Sequence, residues 1–248
     1  MDYTNILYTQ LAKDYSCSVD DIYSDKNIFA IKKSVQGRRL YDNDDCFLKV
    51  CSVHGKLVFC CKDSSFLDWL EVMYSNFHAD WFANYPNLRL LERQLLKYGH
   101  IIEDLHHFYL PKKDFSTPPI DDSLNLVWYN QKEILQFKND DRFRYSLGFW
   151  ETAPDVIAVA NVKDSQILGL AGASADSPTM WQIGIDVTPQ GKHSGLGTKL
   201  VTILKDEILS KGILPFYGTG EFHMLSQRVA IQSGFIPTWA ELYTCKYN

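Results

Sequence analysis

Residues 181–204, WQIGIDVTPQGKHSGLGTKLVTIL, constrain this chain more than any other stretch. The run 183–187 alternates β-branched residues as a buried strand does, and Pro189 stops the ladder. A glycine-rich loop, 190–197, then leads into Leu196, Leu200, Ile203 and Leu204 at helical spacing. A strand, a glycine loop and a helix start in that order leave unpaired backbone N–H groups at the positive end of the helix dipole, where a phosphate or pyrophosphate can sit. Lys192 adds a cation and Thr198 a hydroxyl, while Gly195 and Gly197 permit the torsions and close approach that a Cβ resists. The plainer reading is a glycine-rich connection that holds nothing.

Two nucleotide-binding patterns fail against these letters. A Walker loop starting at Gly191 requires glycine where Leu196 stands, and Thr198-Lys199 is in the wrong order. The dinucleotide fingerprint requires a third glycine where the chain has Leu200.

The run IGIDV, Pro189 and then KHSGLG at 192–197 resembles motif A of the GNAT N-acetyltransferase superfamily, with Lys192 in place of the usual arginine or glutamine. Downstream, a strand-like run at 213–217, a helical stretch at 222–233 and Gly234-Phe235 resemble motif B, with Ser226 on its small-residue position and His223 where asparagine is usual. The two motifs lie in the last half of the chain. The resemblance implies a GNAT-like mixed, mostly antiparallel sheet flanked by helices. It also implies acetyl-CoA as cosubstrate, with its pyrophosphate on Lys192, His193, Ser194, Gly195, Leu196, Gly197 and Thr198. The pantetheine arm would lie along Ile185 and Val187, held through main-chain hydrogen bonds, and Ser226 would add a contact.

A length of 248 residues allows one large domain or two smaller ones, and 46% hydrophobic content supplies a core. A formal charge of −5 without any Lys/Arg run argues against a nucleic-acid partner. The six cysteines lack zinc spacing and read as core thiols, so no metal is expected. With no basic-then-apolar leader and no apolar run of membrane length, the expectation is a soluble cytoplasmic protein with no membrane partner, compatible with a homodimer.

Read in order, residues 1–23 suggest short helices, 27–32 a strand, and 46–53 with 56–61 a hairpin turning at Gly55. Ser64 or Ser65 is the expected cap of a helix through Phe77, and Pro86 opens a second helix with Leu88, Leu91, Leu95 and Leu96 on one face. Prolines interrupt every periodicity at 111–122. The expected organisation is therefore an N-terminal α/β domain at 1–111, for which a coenzyme-free relative of the other is one reading, a linker at 112–122, and the acetyltransferase domain at 123–248. That last domain should run strand, helix, three strands, helix, strand, helix, and a final strand pair at 237–246.

Acetyl transfer to an amine needs a neutral nitrogen, hence a base, and the departing thiolate needs a proton donor. Glu221, after the presumed strand, ranks first as base, although an acid there also compensates a helix dipole; His223 follows. The tyrosine that GNAT enzymes commonly use as thiolate acid would fall at Ala230, which leaves Tyr217 or Tyr243 as replacements. Trp181, Trp239 and Glu241 are candidates for the acceptor pocket, with structural roles equally open. The expected function is transfer of acetyl to a primary amine of a small molecule or peptide in a ternary complex. The alternative is an acyl-CoA-binding regulatory or interaction module with little catalysis.

Overall fold

The computed structural model describes residues 1–40, 46–117, 119, 123–192 and 194–247. In chain order its first elements are α1 (Tyr3–Asp14), α2 (Val19–Tyr23), β1 (Ile28–Ile31), β2 (Leu48–Val53), β3 (Lys56–Cys61), α3 (Ser64–Tyr74), α4 (Tyr85–Leu96) and β4 (His100–Pro111). There follow β5 (Leu126–Asn130), α5 (Gln131–Ile134), β6 (Asp155–Lys163), β7 (Gln166–Ser174), β8 (Met180–Val187), α6 (Leu196–Ser210), β9 (Leu214–Gly220), α7 (Met224–Gln232) and β10 (Phe235–Lys246). These make two compact units, Asp2–Phe108 with Thr238–Asn248, and Tyr109–Pro237, whose limits fall within β4 and β10. Strand pairing is mixed and mostly antiparallel, as expected. Where a final strand pair was expected there is one long strand, β10.

In the unit that holds the N-terminus the strands lie in the order β1-β3-β2-β10-β4, with β1 parallel to β3. His54 and Gly55, both at positive φ, close the β2–β3 hairpin in the two-residue turn that matches strand twist. The cap of α3 is Asp63 rather than either serine, since its carboxylate accepts from the Phe66 N–H at 2.8 Å. Leu91 and Leu95 of α4 are buried with Phe59, Phe66 and Tyr74, whereas Leu96 is exposed, so the buried stripe is narrower than the leucines suggest.

The same unit buries a charged network. Arg39 donates from Nε to Asp14 at 2.6 Å and from Nη2 to Glu241 at 2.7 Å, and each side chain is 1% exposed or less. Trp239 Nε1 also donates to Glu241 at 2.7 Å, as does the Tyr243 hydroxyl. Trp239 and Glu241 thus belong to this interior rather than to an acceptor pocket, because a buried carboxylate must find compensating donors and Arg39 supplies them.

In the other unit the order is β9-β8-β7-β6-β5, with β8 parallel to β9 and the remaining pairs antiparallel. The strand entering α6 pairs in parallel with the strand leaving it, whereas β3, which enters α3, pairs with β1 and β2; the two units do not share a strand order. Alternation along β6 divides its faces: Val159 packs with Leu200, Val201 and Leu204 of α6, while Ala158 and Ala160 meet Phe137, Phe143 and Leu147. Up to Thr117 the proline-interrupted stretch lies along this unit, through Lys112 N–H to the Gly234 carbonyl at 2.8 Å and Thr117 Oγ1 to Asp206 at 2.8 Å. Residues 118 and 120–122 of that stretch lie outside the described residues.

Burial by itself would raise the Glu241 pKa, but Arg39, Lys49 and the hydrogen bonds from Tyr243 and Arg39 hold it below its ordinary 4.5. A depressed carboxylate stabilises the fold above its unfolded pKa and loses that contribution as pH falls through the folded value. Denaturant titrations of the wild type are therefore expected to weaken below about pH 4.5, with a flatter pH dependence in Glu241→Gln. Arg39→Ala, which strands two buried carboxylates, should cost about 3–5 kcal/mol at neutral pH in the same titration.

Candidate functional site

Strands β8 and β9 pair from Met180↔Leu214 to Ile183↔Tyr217. Beyond that point β8 continues to Val187 and β9 to Gly220 without pairing to each other. The other edge of β8 stays on β7 as far as Gly169↔Val187. The main chain at 184–187 therefore offers one edge to an incoming extended group.

At the end of this edge the chain turns into α6. Thr188 N–H and hydroxyl both donate to the Leu168 carbonyl, at 2.9 and 3.0 Å. A Cβ on Gly191 would stand 2.3 Å from that same oxygen, so only glycine fits. Gly195 caps α6 at φ 72°, a left-handed conformation with open space where a Cβ would project. Gly197 lies against the strand, since a Cβ there would be 3.4 Å from Val187 and 3.7 Å from Ile185.

At the start of the helix the Lys199 N–H donates to the Gly195 carbonyl at 3.1 Å. Among the described residues the N–H groups of Leu196, Gly197 and Thr198 have no acceptor. Lys192 is exposed beside them, and the Ser194 hydroxyl donates to the Gly191 carbonyl at 2.8 Å. The Thr198 hydroxyl is turned toward Gln232 of α7 at 3.4 Å. His193 lies outside the described residues.

Of the catalytic candidates, Tyr217 stands at the last pair before the strands part, buried, with its hydroxyl 2.9 Å from Ser226 Oγ on α7. Burial pushes its pKa up, the Ser226 hydrogen bond opposes, and the Asp186 carboxylate adds to the rise, so the hydroxyl keeps its proton at neutral pH. Glu221 and His223 are exposed in the turn between β9 and α7 and are not drawn to Tyr217 and Ser226. The helix starts at Met224, after the expected Phe222, with His223 at its cap making no side-chain cap bond. Ala230 is fully buried, and Trp181 packs among the residues beneath α6.

Asp186 is the residue that sequence reasoning missed. Period-two alternation sets Gly184 and Asp186 opposite Ile183, Ile185 and Val187. Asp186 Oδ2 accepts from Tyr145 N–H at 2.9 Å, Ser146 N–H at 2.8 Å and the Ser146 hydroxyl at 3.1 Å. The clamped backbone lies so close to the sheet that a Cβ on Gly184 would be 2.2 Å from the Tyr145 carbonyl oxygen, and one on Gly172 would be 2.3 Å from that of Ser146. A buried carboxylate, Asp155, accepts from Gly148 and Phe149 N–H at 3.3 and 2.8 Å and holds Phe149 at φ 53°, a strained value for a bulky residue. The usable signal was an aspartate inside an apolar strand, which must find buried donors.

No protein-family model and no curated protein matches the chain. Among solved structures it is similar to a GCN5-related N-acetyltransferase-like protein from Streptococcus suis, at 14% identity over 84% of this chain and 88% of that one, TM-score 0.48. An acetyltransferase from the GNAT family from Colwellia psychrerythraea is similar at 11% identity over 84% of each chain, TM-score 0.47. A GCN5-related N-acetyltransferase from Kribbella flavida is similar at 13% identity over 66% of this chain and 65% of that one, TM-score 0.45. These similar structures are GNAT-family acetyltransferases. Likeness at this level says nothing of substrate. Among the described residues no group of His, Cys, Asp and Glu could hold a metal ion, and no helix is long and apolar enough to cross a membrane.

Burial raises the Asp186 pKa, against the hydrogen bonds from Ser146 and Tyr145. A raised carboxylate contributes most below its unfolded pKa and loses that contribution as pH rises through the folded value. Asp186→Asn, which keeps an acceptor and drops the charge, should gain stability relative to wild type as pH rises from about 4 to neutral. Asp186→Ala leaves the Tyr145 and Ser146 amides unpaired. It is expected to cost about 1–3 kcal/mol and to speed their hydrogen exchange.

Proposed function

We propose that this chain is an acetyl-CoA-dependent N-acetyltransferase that moves an acetyl group to a primary amine of a small molecule or peptide. The observation that carries the reading is the parting of β8 and β9 beside the N–H groups of Leu196, Gly197 and Thr198, which open α6 and have no acceptor among the described residues. Those groups, with Lys192, fit a pyrophosphate, and the free edge at 184–187 fits the amides of an extended pantetheine arm. When bound, acetyl-CoA supplies a thioester carbon open to attack.

The chain's residues then have separate tasks. Gly195 and Gly197 keep side chains away from the anion, and Ile185 and Val187 hold the strand edge against α6. Tyr217, protonated at neutral pH and tied to Ser226, holds a proton where the strands separate, while Ala230 on α7 carries no hydroxyl that could do so. Glu221, with His223 next, stands open to an incoming amine as base. A C–N bond forms as the C–S bond breaks, and the proton lost by nitrogen balances the one gained by sulfur. The exposure of Glu221 and the alanine at 230 favour a second reading, a coenzyme-binding module with little turnover, which release of free thiol with an amine panel distinguishes.

Calorimetric titration with acetyl-CoA should show micromolar binding. A folded Gly195→Asp, Gly197→Asp variant, which sets carboxylates in the anion site, should lose it. Absence of binding by the wild type would overturn the reading. Tyr217→Phe should leave coenzyme affinity largely intact and slow thiol release by about 10²-fold, the scale of a lost general acid.

A further inference from the structure

At the end of β8 away from the free edge, two tryptophans face one cavity. Trp128 of β5 stands opposite Val159 of β6, which packs with α6, so Trp128 rises from the same face of the sheet. Trp181, the second residue of β8, shares that face by alternation with Ile183 and is partly buried against the same cluster. Together with Ile157, Glu133, Glu207 and Lys211 they line a cavity of about 650 Å³, within the size range of small-ligand sites. Glu207 lies in the last turn of α6 and Lys211 caps it, and the 15 residues of that helix run about 22 Å. The N–H groups of Leu196, Gly197 and Thr198 open its other end, so the cavity is separate from the anion site.

The charges that line this cavity do not cancel. Lys211 Nζ lies 2.7 Å from Glu207 Oε1, and those two balance each other. Glu133 accepts from the Asn130 N–H at 2.9 Å, a neutral donor, and among the described residues it has no basic partner. One negative charge therefore remains beside two indoles, at the C-terminal end of a helix, where the dipole also favours a cation. Indole holds a cation better than any other aromatic side chain does. The geometry points to a binding site for a compact quaternary ammonium, its methylated nitrogen against Trp128 and Trp181 and its charge answered by Glu133. A primary ammonium brings three N–H groups that need acceptors, while Glu207 is already taken by Lys211 and Glu133 by the Asn130 amide. A methylated nitrogen has no N–H to satisfy and leaves water for the rings at less cost. The site uses none of the residues assigned to coenzyme or to proton transfer, and so goes beyond the acetyltransferase reading.

The test titrates the full chain, without coenzyme, with choline and with its uncharged isostere 3,3-dimethylbutan-1-ol, followed by calorimetry and tryptophan fluorescence. Choline should bind saturably with a Kd of about 1 mM or below, and the alcohol roughly 10-fold more weakly or worse. Trp128→Ala, at a position 40% exposed, should weaken choline roughly 3- to 30-fold, the range of a cation–π contact. Glu133→Gln, which keeps an acceptor for the Asn130 N–H, should weaken choline and leave the alcohol unchanged; circular dichroism checks that both variants are folded. Equal affinity for the two ligands would overturn the inference, since the cavity would then select shape without charge. So would absence of choline binding at tens of millimolar. Choline binding that Trp128→Ala leaves intact would overturn it as well, by placing the cation elsewhere on the molecule. Failure of acetyl-CoA to bind is a separate result: it removes the acetyltransferase reading and leaves this inference standing.

Discussion

The candidate site depends on β8 being held on three sides and free on the fourth. One edge is laddered to β7 through Val187. One face carries Ile183, Ile185 and Val187 against α6, close enough that a Cβ on Gly197 would touch the last two. The other face is covered by the main chain at 145–146, drawn down by Asp186 onto Gly184. Only the edge toward β9 is open, and only beyond Ile183, so the strand can present its backbone without losing its place. Strand edges left open are otherwise a liability in folded proteins, and this one persists because it is short and framed by helix and loop.

The glycines divide the labour. Gly184 and Gly172 admit the clamped backbone and Gly191 admits a carbonyl oxygen, each for lack of room. Gly195 meets nothing and is required for its φ alone. Two physical causes thus stand behind one residue type. Only the second leaves the open space at a helix start that an anion could use.

Local features were legible in the sequence. The strand, glycine loop and helix at 181–204 follow from periodicity and from the conformational freedom of glycine, and the hairpin at 53–56 follows from turn chemistry. What was not legible depends on partners distant in sequence. Glu241 stood as a candidate for the acceptor pocket because its ion pair, Arg39, is 202 positions away. Asp186 looked like one residue of a strand because its donors, Tyr145 and Ser146, sit in a segment with no periodicity of its own. The α3 cap went to Asp63 rather than a neighbouring serine by one position, a choice that side-chain geometry makes and composition does not.

These two carboxylates show why burial alone does not assign a role. Glu241 meets a guanidinium and stays ionised below the ordinary range, so its charge is spent on holding the fold. Asp186 accepts from neutral donors, with the Arg144 charge the smallest opposing cause, so burial wins and its affinity for a proton rises. Its charge also reaches Tyr217 and raises that hydroxyl further. The carboxylate that anchors the wall of the cleft therefore helps to keep the proton on the tyrosine at its apex. A change at Asp186 acts on two things at once, the position of Tyr145 and the acidity of Tyr217, through one side chain.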